Sequence, residues 1–270
     1  MARPSTTVQA ISDFIAGCKS DGVWSKITEA YLMAGVTFGG ITVKLKGTGT
    51  LTNNNFVSGD YQATGTGAGL TGDGSAKEID TGFTVTSGFQ NDIALGAYTQ
   101  STADANPRLL IGFIATGTNN CYLGYDNNNN GRIFTRLNQS SSTFSNDNVY
   151  DEPSFIVSTR RGISDIEVYR NGTSIITSSI TSGTPDSGPI HLFSGDGLNY
   201  FNGTLTFAHI GTGLTDTDAA NLSLRVNKLM YDLGCETYID QGILDAMTLD
   251  ADAQTYAEAV LSAGGNFEAI

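Results

Sequence analysis

Apolar and polar positions alternate along much of the stretch from residue 163 to residue 213, and this pattern predicts two consecutive β-hairpins. The first run, ISDIEVYRNGTSIITSSI, is β-rich on both sides of Asn171-Gly172. This dipeptide suits a type I′ turn, because both central residues of that turn need a positive φ. The second run, IHLFSGDGLNYFNGTLTFAHIG, contains Asn202-Gly203 ahead of its last strand, and we interpret it as a second hairpin.

The period of the pattern changes at the end of the second hairpin. In the strand TLTFAHI, alternation places Leu205, Phe207 and His209 on one face. Thr215 and Asp218 then have the spacing of a capping box at the start of a helix. The apolar residues at helical spacing behind that pair are Leu222, Val226, Leu229, Met230 and Leu233, with Gly234 as the stop.

Helical spacing is also predicted at both ends of the chain. The first helix carries Val8, Ile11, Phe14 and Ile15 on one face. A second helical pattern follows with Val23, Trp24, Ile27, Tyr31 and Leu32. A last helix is predicted from Leu249 to about Ala263. Because short helices cannot bury an apolar face alone, we expect these to dock on the rest of the chain or on a neighbouring subunit.

From Phe38 to about Gly213 the chain offers one short strand candidate after another and no strand–helix–strand rhythm. This pattern predicts an all-β jelly-roll β-sandwich. The glycine-dense stretch GTGAGLTGDG precedes no G-K-[ST] and opens no helix, so tight turns explain it better than phosphate binding. We therefore predict an N-terminal helical anchor (1–37), a sandwich with its closing helix (38–234) and a C-terminal helical extension (235–270).

Several of these segments resemble known families. IEVYRNG, YFNGTL, HIGTGLT and the closing helix resemble the C-terminal half of concanavalin A-like, laminin-G-like jelly-roll modules. Near the N-terminus, ISDFIAGCKSDGVW and FVSGDY are similar to segments of bacteriophage and prophage structural proteins that carry such modules. The resemblance implies a concanavalin A-like fold with short helical extensions. It also implies a place in a virion that is assembled in the host cytoplasm.

Charge and cysteine content narrow the classes of partner. The chain has 14 Lys and Arg against 27 Asp and Glu, a net charge of −13, which disfavours nucleic acid because phosphate neutralisation needs clustered cations. Arg160-Arg161 is the only adjacent basic pair, and we interpret it as solvated charge beside a strand. Three widely spaced cysteines form no disulfide framework, and no apolar run is long enough to span a membrane.

The motif DNNNNG (126–131) has the spacing of a calcium loop. Asp126, Asn128 and Asn130 supply oxygens at alternate positions, and Gly131 allows a sharp bend. However, Leu137 stands where a bidentate glutamate is expected, so an Asn-rich hairpin tip explains the same residues. No cofactor is required on this interpretation, and calcium is the one candidate. Asp73 and Asp196, each beside a glycine, are weaker candidates of the same kind.

No catalytic pattern is recognisable in the sequence. Jelly-roll glucanases carry an E-x-D-x-x-E strand, whereas here Glu78 and Asp80 are followed by Phe83 at the third position. Neither His191 nor His209 has a Cys or His at metal-ligand spacing, and no G-x-S-x-G elbow occurs. We therefore predict that the chain is not an enzyme.

The remaining candidate chemistry is glycan binding. Tyr98, Tyr122, Tyr125 and Tyr200 fall near predicted strand ends and could stack on sugar rings, although tyrosines in sheets are more often packing residues. We predict a non-catalytic structural protein on a bacteriophage surface, as a capsid decoration or a tail or fibre component. It would contact other virion proteins through its terminal helices, in several copies or as a homo-oligomer. The alternative is a carbohydrate-binding module for host-surface glycan, and a glycan hydrolase is the third hypothesis.

Overall fold

Two antiparallel β-sheets lie face to face, and two α-helices pack on the outer side of one of them. The computed structural model describes residues 6–101, 108–126, 131–145 and 153–235. The predicted all-β sandwich with an N-terminal helix is confirmed. Residues 236–270, which include the last predicted helix and almost all of the predicted C-terminal extension, lie outside the described residues.

Sheet A has nine strands and sheet B has seven. The strands of sheet A are β1 (Ile27–Leu32), β2 (Lys44–Lys46), β4 (Tyr61–Gln62), β5 (Gly69–Thr71), β7 (Ile93–Ser101), β12 (Ser154–Gly162), β13 (Asp165–Arg170), β14 (Thr173–Ser178) and β16 (Thr204–Gly211). Those of sheet B are β3 (Thr52–Asn54), β6 (Glu78–Thr84), β8 (Arg108–Phe113), β9 (Cys121–Asp126), β10 (Arg132–Leu137), β11 (Thr143–Phe144) and β15 (Pro189–Leu192). Short 3₁₀ turns occupy Trp24–Lys26, Phe38–Thr42, Ser58–Asp60 and Ser87–Phe89.

The strand order differs from the chain order in both sheets. Sheet A runs β14-β13-β12-β7-β16-β1-β2, with β5 paired to β16 and β4 paired to β5. Sheet B runs β11-β10-β9-β8-β15-β6-β3. The main core lies between the sheets and is built from inward-facing residues of both, such as Leu95 and Ile156 from sheet A and Ile111 and Leu123 from sheet B. Such interdigitation of the two inner faces is what holds a sandwich together.

Helices α1 (Thr7–Ser20) and α2 (Asp216–Asp232) cover the outer face of sheet A. The Phe14 ring of α1 meets the Phe207 ring of β16 edge-on, with centroids 5.7 Å apart. Arg225 of α2 binds Asp21 just beyond α1, with Nε 2.8 Å from Oδ2. The apolar face of α1 is therefore buried within its own chain. Neither helix of the described chain is long and apolar enough to cross a membrane.

The prediction of a second helix near the N-terminus is wrong. Residues 24–26 form a 3₁₀ turn, and residues 27–32 form β1, which pairs with β16 on one side and β2 on the other. The strand is apolar on both faces because Tyr31 enters the core between the sheets while Ala30 and Leu32 face the helices. An apolar run of this kind fits a helical template as well as a doubly buried strand. Residues 27–32 thus belong to the sandwich.

The predicted hairpin at Asn171-Gly172 is confirmed, and the prediction of a second hairpin at Asn202-Gly203 is wrong. Strands β13 and β14 pair antiparallel around Asn171 and Gly172, whose φ values are 48° and 83°. By contrast, β15 lies in sheet B and β16 lies in sheet A, so the chain between them crosses from one sheet to the other. In that crossing, residues 193–201, the positive φ values fall at Phe193, Asp196, Gly197 and Asn199.

A register shift in β16 changes the predicted face of its residues. The shift between Leu205 and Phe207 lets Leu205 and then Ala208 face the core, while Phe207 faces the helices. His209 lies on the helix side beside the Phe155 ring, with centroids 5.8 Å apart. Leu205, Phe207 and His209 therefore do not share one face, because a bulge inserts one residue into the alternation.

The closing helix is confirmed in detail. The Thr215 side chain accepts a hydrogen bond from the backbone N–H of Asp218, and the Asp218 carboxylate accepts one from the backbone N–H of Thr215. This is the capping box that the spacing predicts. The Asp218 carboxylate also binds Lys26, with Nζ 2.6 Å from Oδ2, and so ties the helix to the turn before β1. The predicted apolar residues Leu222, Val226, Leu229, Met230 and Leu233 are all buried.

Arg160 is not the solvated charge that the sequence predicts. Its side chain is 0% exposed, and all five of its N–H donors are used. Nε donates to the carbonyl of Leu137 at 2.6 Å, and Nη2 donates to the amide oxygen of Gln139 at 2.7 Å. The other acceptors are the carbonyls of Gly162, Ile163 and Ile180. Burial lowers the pKa of Arg160 to about 10.

Candidate functional site

The outer face of sheet B is covered by neither of the two described helices, and we call it the sheet-B face. Direct register partners form a row across six strands of this sheet. In order from β3 to β10 the row is Thr52, Asp80, His191, Gly112, Tyr122 and Arg136. Gly112 has a φ of 147°, and a Cβ there would lie 2.4 Å from Tyr122 Cα, so the middle of the row carries no side chain.

Aromatic rings and arginines meet at the β9–β11 end of the sheet-B face. Phe134 and Phe144, cross-strand partners, are stacked at 6.0 Å with 26° between their planes. Arg132 Cζ lies 4.6 Å from the Phe144 centroid, and Arg136 Cζ lies 5.7 Å from the Tyr122 centroid. Phe144 lies on β11, the last strand in the order of sheet B, and its side chain is 41% exposed. We call these five residues the aromatic–arginine patch.

Acidic side chains meet at the β6–β15 end of the same face. Asp80 Oδ1 lies 3.6 Å from His191 Nε2, and Asp196 Oδ1 lies 3.7 Å from His191 Nδ1. Glu78 accepts hydrogen bonds from Ser194 Oγ, from the Gly197 N–H at 3.1 Å and from Asn54 Nδ2 at 3.2 Å. Alternation along β6 puts Glu78 and Asp80 on one face. We call Glu78, Asp80, His191 and Asp196 the acidic cluster.

His191 is buried in the acidic cluster without a hydrogen bond. It is 4% exposed, and Nδ1 is a buried nitrogen with no partner in the described part of the chain. Burial, and then the charges of Glu78, Asp73 and Asp196, raise the pKa of the Tyr200 hydroxyl, so Tyr200 lies near the same acids. Over the described ranges no three His, Cys, Asp or Glu side chains are placed to hold a metal ion.

The four predicted tyrosines do not form one site. Tyr98 is buried under the helices on sheet A, and Tyr125 is buried between the sheets, so neither ring can stack on a ligand. Tyr122 does lie on the sheet-B face, but it is only 5% exposed, and its hydroxyl lies 3.0 Å from Ser142 Oγ. Tyr200 is half-buried in the crossing that follows β15.

The ligands of the predicted calcium loop, namely the side chain of Asp126 and all of Asn128 and Asn130, lie outside the described residues. Asp73, a weaker candidate, caps a turn. Its Oδ1 accepts backbone hydrogen bonds from residues 75, 76 and 77, and these hold the pKa of Asp73 at about 2 against the opposing effect of burial. Asp196, the other weak candidate, belongs to the acidic cluster.

A separate polar cleft of about 330 Å³ lies beside β13 and β14. Arg161 is its central residue and binds three carboxylates, those of Asp165, Glu167 and Asp216, at 3.0, 2.7 and 2.9 Å. Tyr169 also donates to Asp216 at 2.7 Å. Because Arg161 binds all three carboxylates, these residues form a network that joins sheet A to the start of α2.

Sequence reasoning missed the exposed half of the sheet-B face. No sequence motif links Phe144 to Arg132 and Arg136. The pairing of β9, β10 and β11 brings these residues onto one part of the sheet. The available signal was the alternation in RIFTRL, where Arg132, Phe134 and Arg136 share one face. That signal gains meaning only when the sheet and its uncovered face are known.

No family model matches the chain, and no curated protein matches it by sequence. Among solved structures, the chain is similar to a Trypanosoma rangeli sialidase, with a TM-score of 0.51, 12% identity and coverage of 85% of this chain and 40% of that one. It also aligns with domain 4 of AbnA, a GH43 extracellular arabinanase from Geobacillus stearothermophilus, at a TM-score of 0.45, 15% identity and coverage of 73% and 98%. The CBM40 of a Ruminococcus gnavus IT-sialidase aligns at 0.37, with 14% identity and coverage of 47% and 79%.

The similarity to the sialidase supports the fold class. At 12% identity, the match to the sialidase shows a shared fold, and the chain spans about two fifths of that enzyme's length. The predicted β-sandwich of two antiparallel sheets is confirmed. The prediction that the chain is not an enzyme is contradicted, because solved chains that share its fold are, by name, sialidases. The missing glucanase pattern excluded one arrangement of acids and could not exclude catalysis on this fold.

Proposed function

We propose that this chain is a glycan-binding β-sandwich that recognises its ligand on the sheet-B face. The observation that carries the proposal is the exposed Phe144 ring, which lies beside arginines on the one broad sheet face left open by α1 and α2. Sugar-binding sites combine an apolar platform with a few fixed polar groups. The aromatic–arginine patch and the acidic cluster supply both kinds of group on a single sheet.

The chemistry of the aromatic–arginine patch suits a sugar ring. The apolar C–H face of a pyranose packs on an aromatic ring, while a guanidinium donates hydrogen bonds to hydroxyl or carboxylate oxygens. Arg136 donates to Ser142 Oγ at 3.2 Å and has no carboxylate partner among the described residues, so its charge is available to a ligand. Strands hold both groups, which limits the ordering cost of binding.

Phe144→Ala is expected to weaken glycan binding by roughly tenfold, since loss of an aromatic anchor at a binding surface costs about 1–2 kcal/mol. A glycan array, run with and without calcium, would identify the ligand, and isothermal titration would give the dissociation constants. Val8→Ala is the matched control, because Val8 is an even more exposed apolar residue, 76%, on the helix-covered side. An array without a hit, or equal affinities for the Phe144→Ala variant and the unmutated protein, would contradict the proposal.

We also propose that the sandwich is displayed on a bacteriophage particle, in several copies and in contact with other virion proteins. The support is the similarity of the N-terminal segments ISDFIAGCKSDGVW and FVSGDY to phage structural proteins. Because α1 buries its apolar face on sheet A, we do not assign the contact to that face. Mass spectrometry of purified particles should detect the chain at a stoichiometric level; its absence from the particles would remove this proposal without affecting glycan binding.

A further inference from the structure

We infer that the acidic cluster binds a positively charged amino group of the ligand, so that the preferred glycan contains an unacetylated amino sugar. This inference rests on the proposed glycan-binding function and names the chemistry of one end of the sheet-B face. Three features carry it: a local excess of negative charge, a buried imidazole without a hydrogen bond, and the spacing between the acceptor atoms.

The first feature is uncompensated charge. Several acids elsewhere are paired with Lys or Arg, as in Glu29 with Lys44 and Asp21 with Arg225. In the acidic cluster, Glu78, Asp80 and Asp196 have no Lys or Arg within ion-pair distance in the part of the chain that the structure describes. Lys77, adjacent in sequence, binds Asp60 instead, with Nζ 2.6 Å from Oδ1. Three carboxylates on one surface therefore leave a local field that attracts a cation.

The second feature is the buried imidazole of His191. A polar atom that is removed from water and left without a partner is costly, and such atoms often mark a site that a ligand or water completes. His191 Nδ1 is such an atom, and Asp196 is the nearest charged group that it faces. Glu78 and Asp80 lie on β6, on one side of His191, and Asp196 lies in the crossing after β15. On the β8 side, the register partner of His191 is Gly112, which has no side chain. The imidazole is thus surrounded by acceptors.

The third feature is distance. The gaps of 3.6 and 3.7 Å between the His191 nitrogens and the two aspartate oxygens are too long for hydrogen bonds. The gap between Asp80 Oδ1 and His191 Nε2 is short enough for one ligand nitrogen to lie at about 2.8 Å from both atoms. An ammonium group carries three donors and no acceptor, which matches a site made of carboxylate oxygens and an imidazole lone pair. Asp80 and Asp196 side chains are 36% and 55% exposed, so a ligand can reach them.

Other ligand chemistries fit less well. A carboxylated or sulfated sugar unit would be repelled by three carboxylates at this end of the face. A metal ion would need three ligating side chains in reach, which the described residues do not provide. An N-acetylated sugar offers one amide N–H and a carbonyl where the cluster has an excess of acceptors. The free amine is therefore the favoured group.

The test compares glucosamine oligomers with their N-acetylated counterparts by isothermal titration at low and at raised salt. We expect tighter binding of the free amine, and weaker binding of it as salt screens the charges. Asp80→Asn and Asp196→Asn should each weaken glucosamine-oligomer binding by roughly tenfold, as expected for loss of a charge-assisted hydrogen bond. Asp13→Asn, which removes an acid on α1, is the control and should bind as the unmutated protein does.

The outcomes separate this inference from the proposed function. If both oligomers bind equally and the Asp80 and Asp196 variants bind normally, the inference is overturned, while weaker binding by the Phe144→Ala variant would leave the proposed function standing. If neither oligomer binds but another glycan does, the inference alone fails. If no glycan binds at all, both fail. Unfolding midpoints of the variants exclude loss of fold, and Asp196, at 55% exposed, is a position where the fold should tolerate asparagine.

Discussion

Arg160→Met is expected to lower the free energy of unfolding by roughly 3–5 kcal/mol, because several buried acceptors would lose their donor at a cost of about 1–3 kcal/mol each. Arg160 is fully buried, and its five N–H groups bind four backbone carbonyls and the Gln139 amide oxygen. Methionine fills similar volume but donates no hydrogen bond. The five acceptors, which lie in β10 and the turns around residues 138–139, 162–163 and 180, would be left buried and unsatisfied.

Equilibrium urea unfolding followed by Trp24 fluorescence would measure this loss, since Trp24 is the only tryptophan and packs on Phe14. Arg160→Lys should also destabilise the protein, because an ammonium cannot reproduce the planar set of five donors. Arg136→Met is the control: this arginine lies on the sheet-B face, and its loss should cost less than about 1 kcal/mol. Equal stability of the Arg160→Met variant and the unmutated protein would show that the network does not stabilise the fold.

Arg160 also shows why burial is difficult to predict from sequence. In the sequence, Arg160 and Arg161 are an adjacent basic pair in an acidic chain, and solvated charge is the ordinary expectation. In the structure only Arg161 has carboxylate partners, while Arg160 points toward carbonyls supplied by three separate segments. No local pattern contains those carbonyls. Their position depends on how β10, β12 and the chain after β14 are folded together.

The parts of the fold that could be predicted are those fixed by local chemistry. The turn at Asn171-Gly172 depends on two residues that tolerate positive φ, and the start of α2 depends on Thr215 and Asp218, which are three positions apart. The parts that could not be predicted depend on distant partners. Residues 27–32 become a strand because β16 and β2 lie on either side, and Asn202-Gly203 forms no hairpin because the flanking strands enter different sheets.

The candidate site also depends on residues that are distant in the sequence. In the sequence, Glu78 and Asp80 lack the third acid of the glucanase pattern, and His191 has no Cys or His at metal-ligand spacing. The pairing of β6 with β15 brings Asp80 and His191 together across 111 positions, 191 minus 80, and the crossing adds Asp196. Tyr98 and Tyr125 are predicted to stack on sugars because they fall near predicted strand ends, but the helices and the second sheet bury them. Exposure of a given face therefore decides which aromatics can bind a ligand.

The protein is expected to lose stability as the pH falls below about 6.5, and His209 is the reason. His209 is 1% exposed between Phe155 and Phe207, and burial lowers its pKa to about 3. In the unfolded chain a histidine has a pKa of about 6.5. Between these two values the unfolded state binds a proton that the folded state does not, so the free energy of unfolding falls as the pH falls. The contribution is fully present above pH 6.5.

Between pH 6.5 and pH 4.5 the His209 contribution to the loss should be roughly 2–3 kcal/mol, at 1.36 kcal/mol for each pH unit. The acid-induced loss from Asp73, whose pKa is held at about 2, begins only nearer the ordinary aspartate value and falls outside this window. Urea unfolding at both pH values should show a smaller loss for His209→Leu than for the unmutated protein. Phe207→Leu, which perturbs the same packing but removes no titratable group, should retain the full loss. If His209→Leu and the unmutated protein lost the same free energy, protonation of His209 would not be the cause, and the acid sensitivity would have to come from the carboxylates.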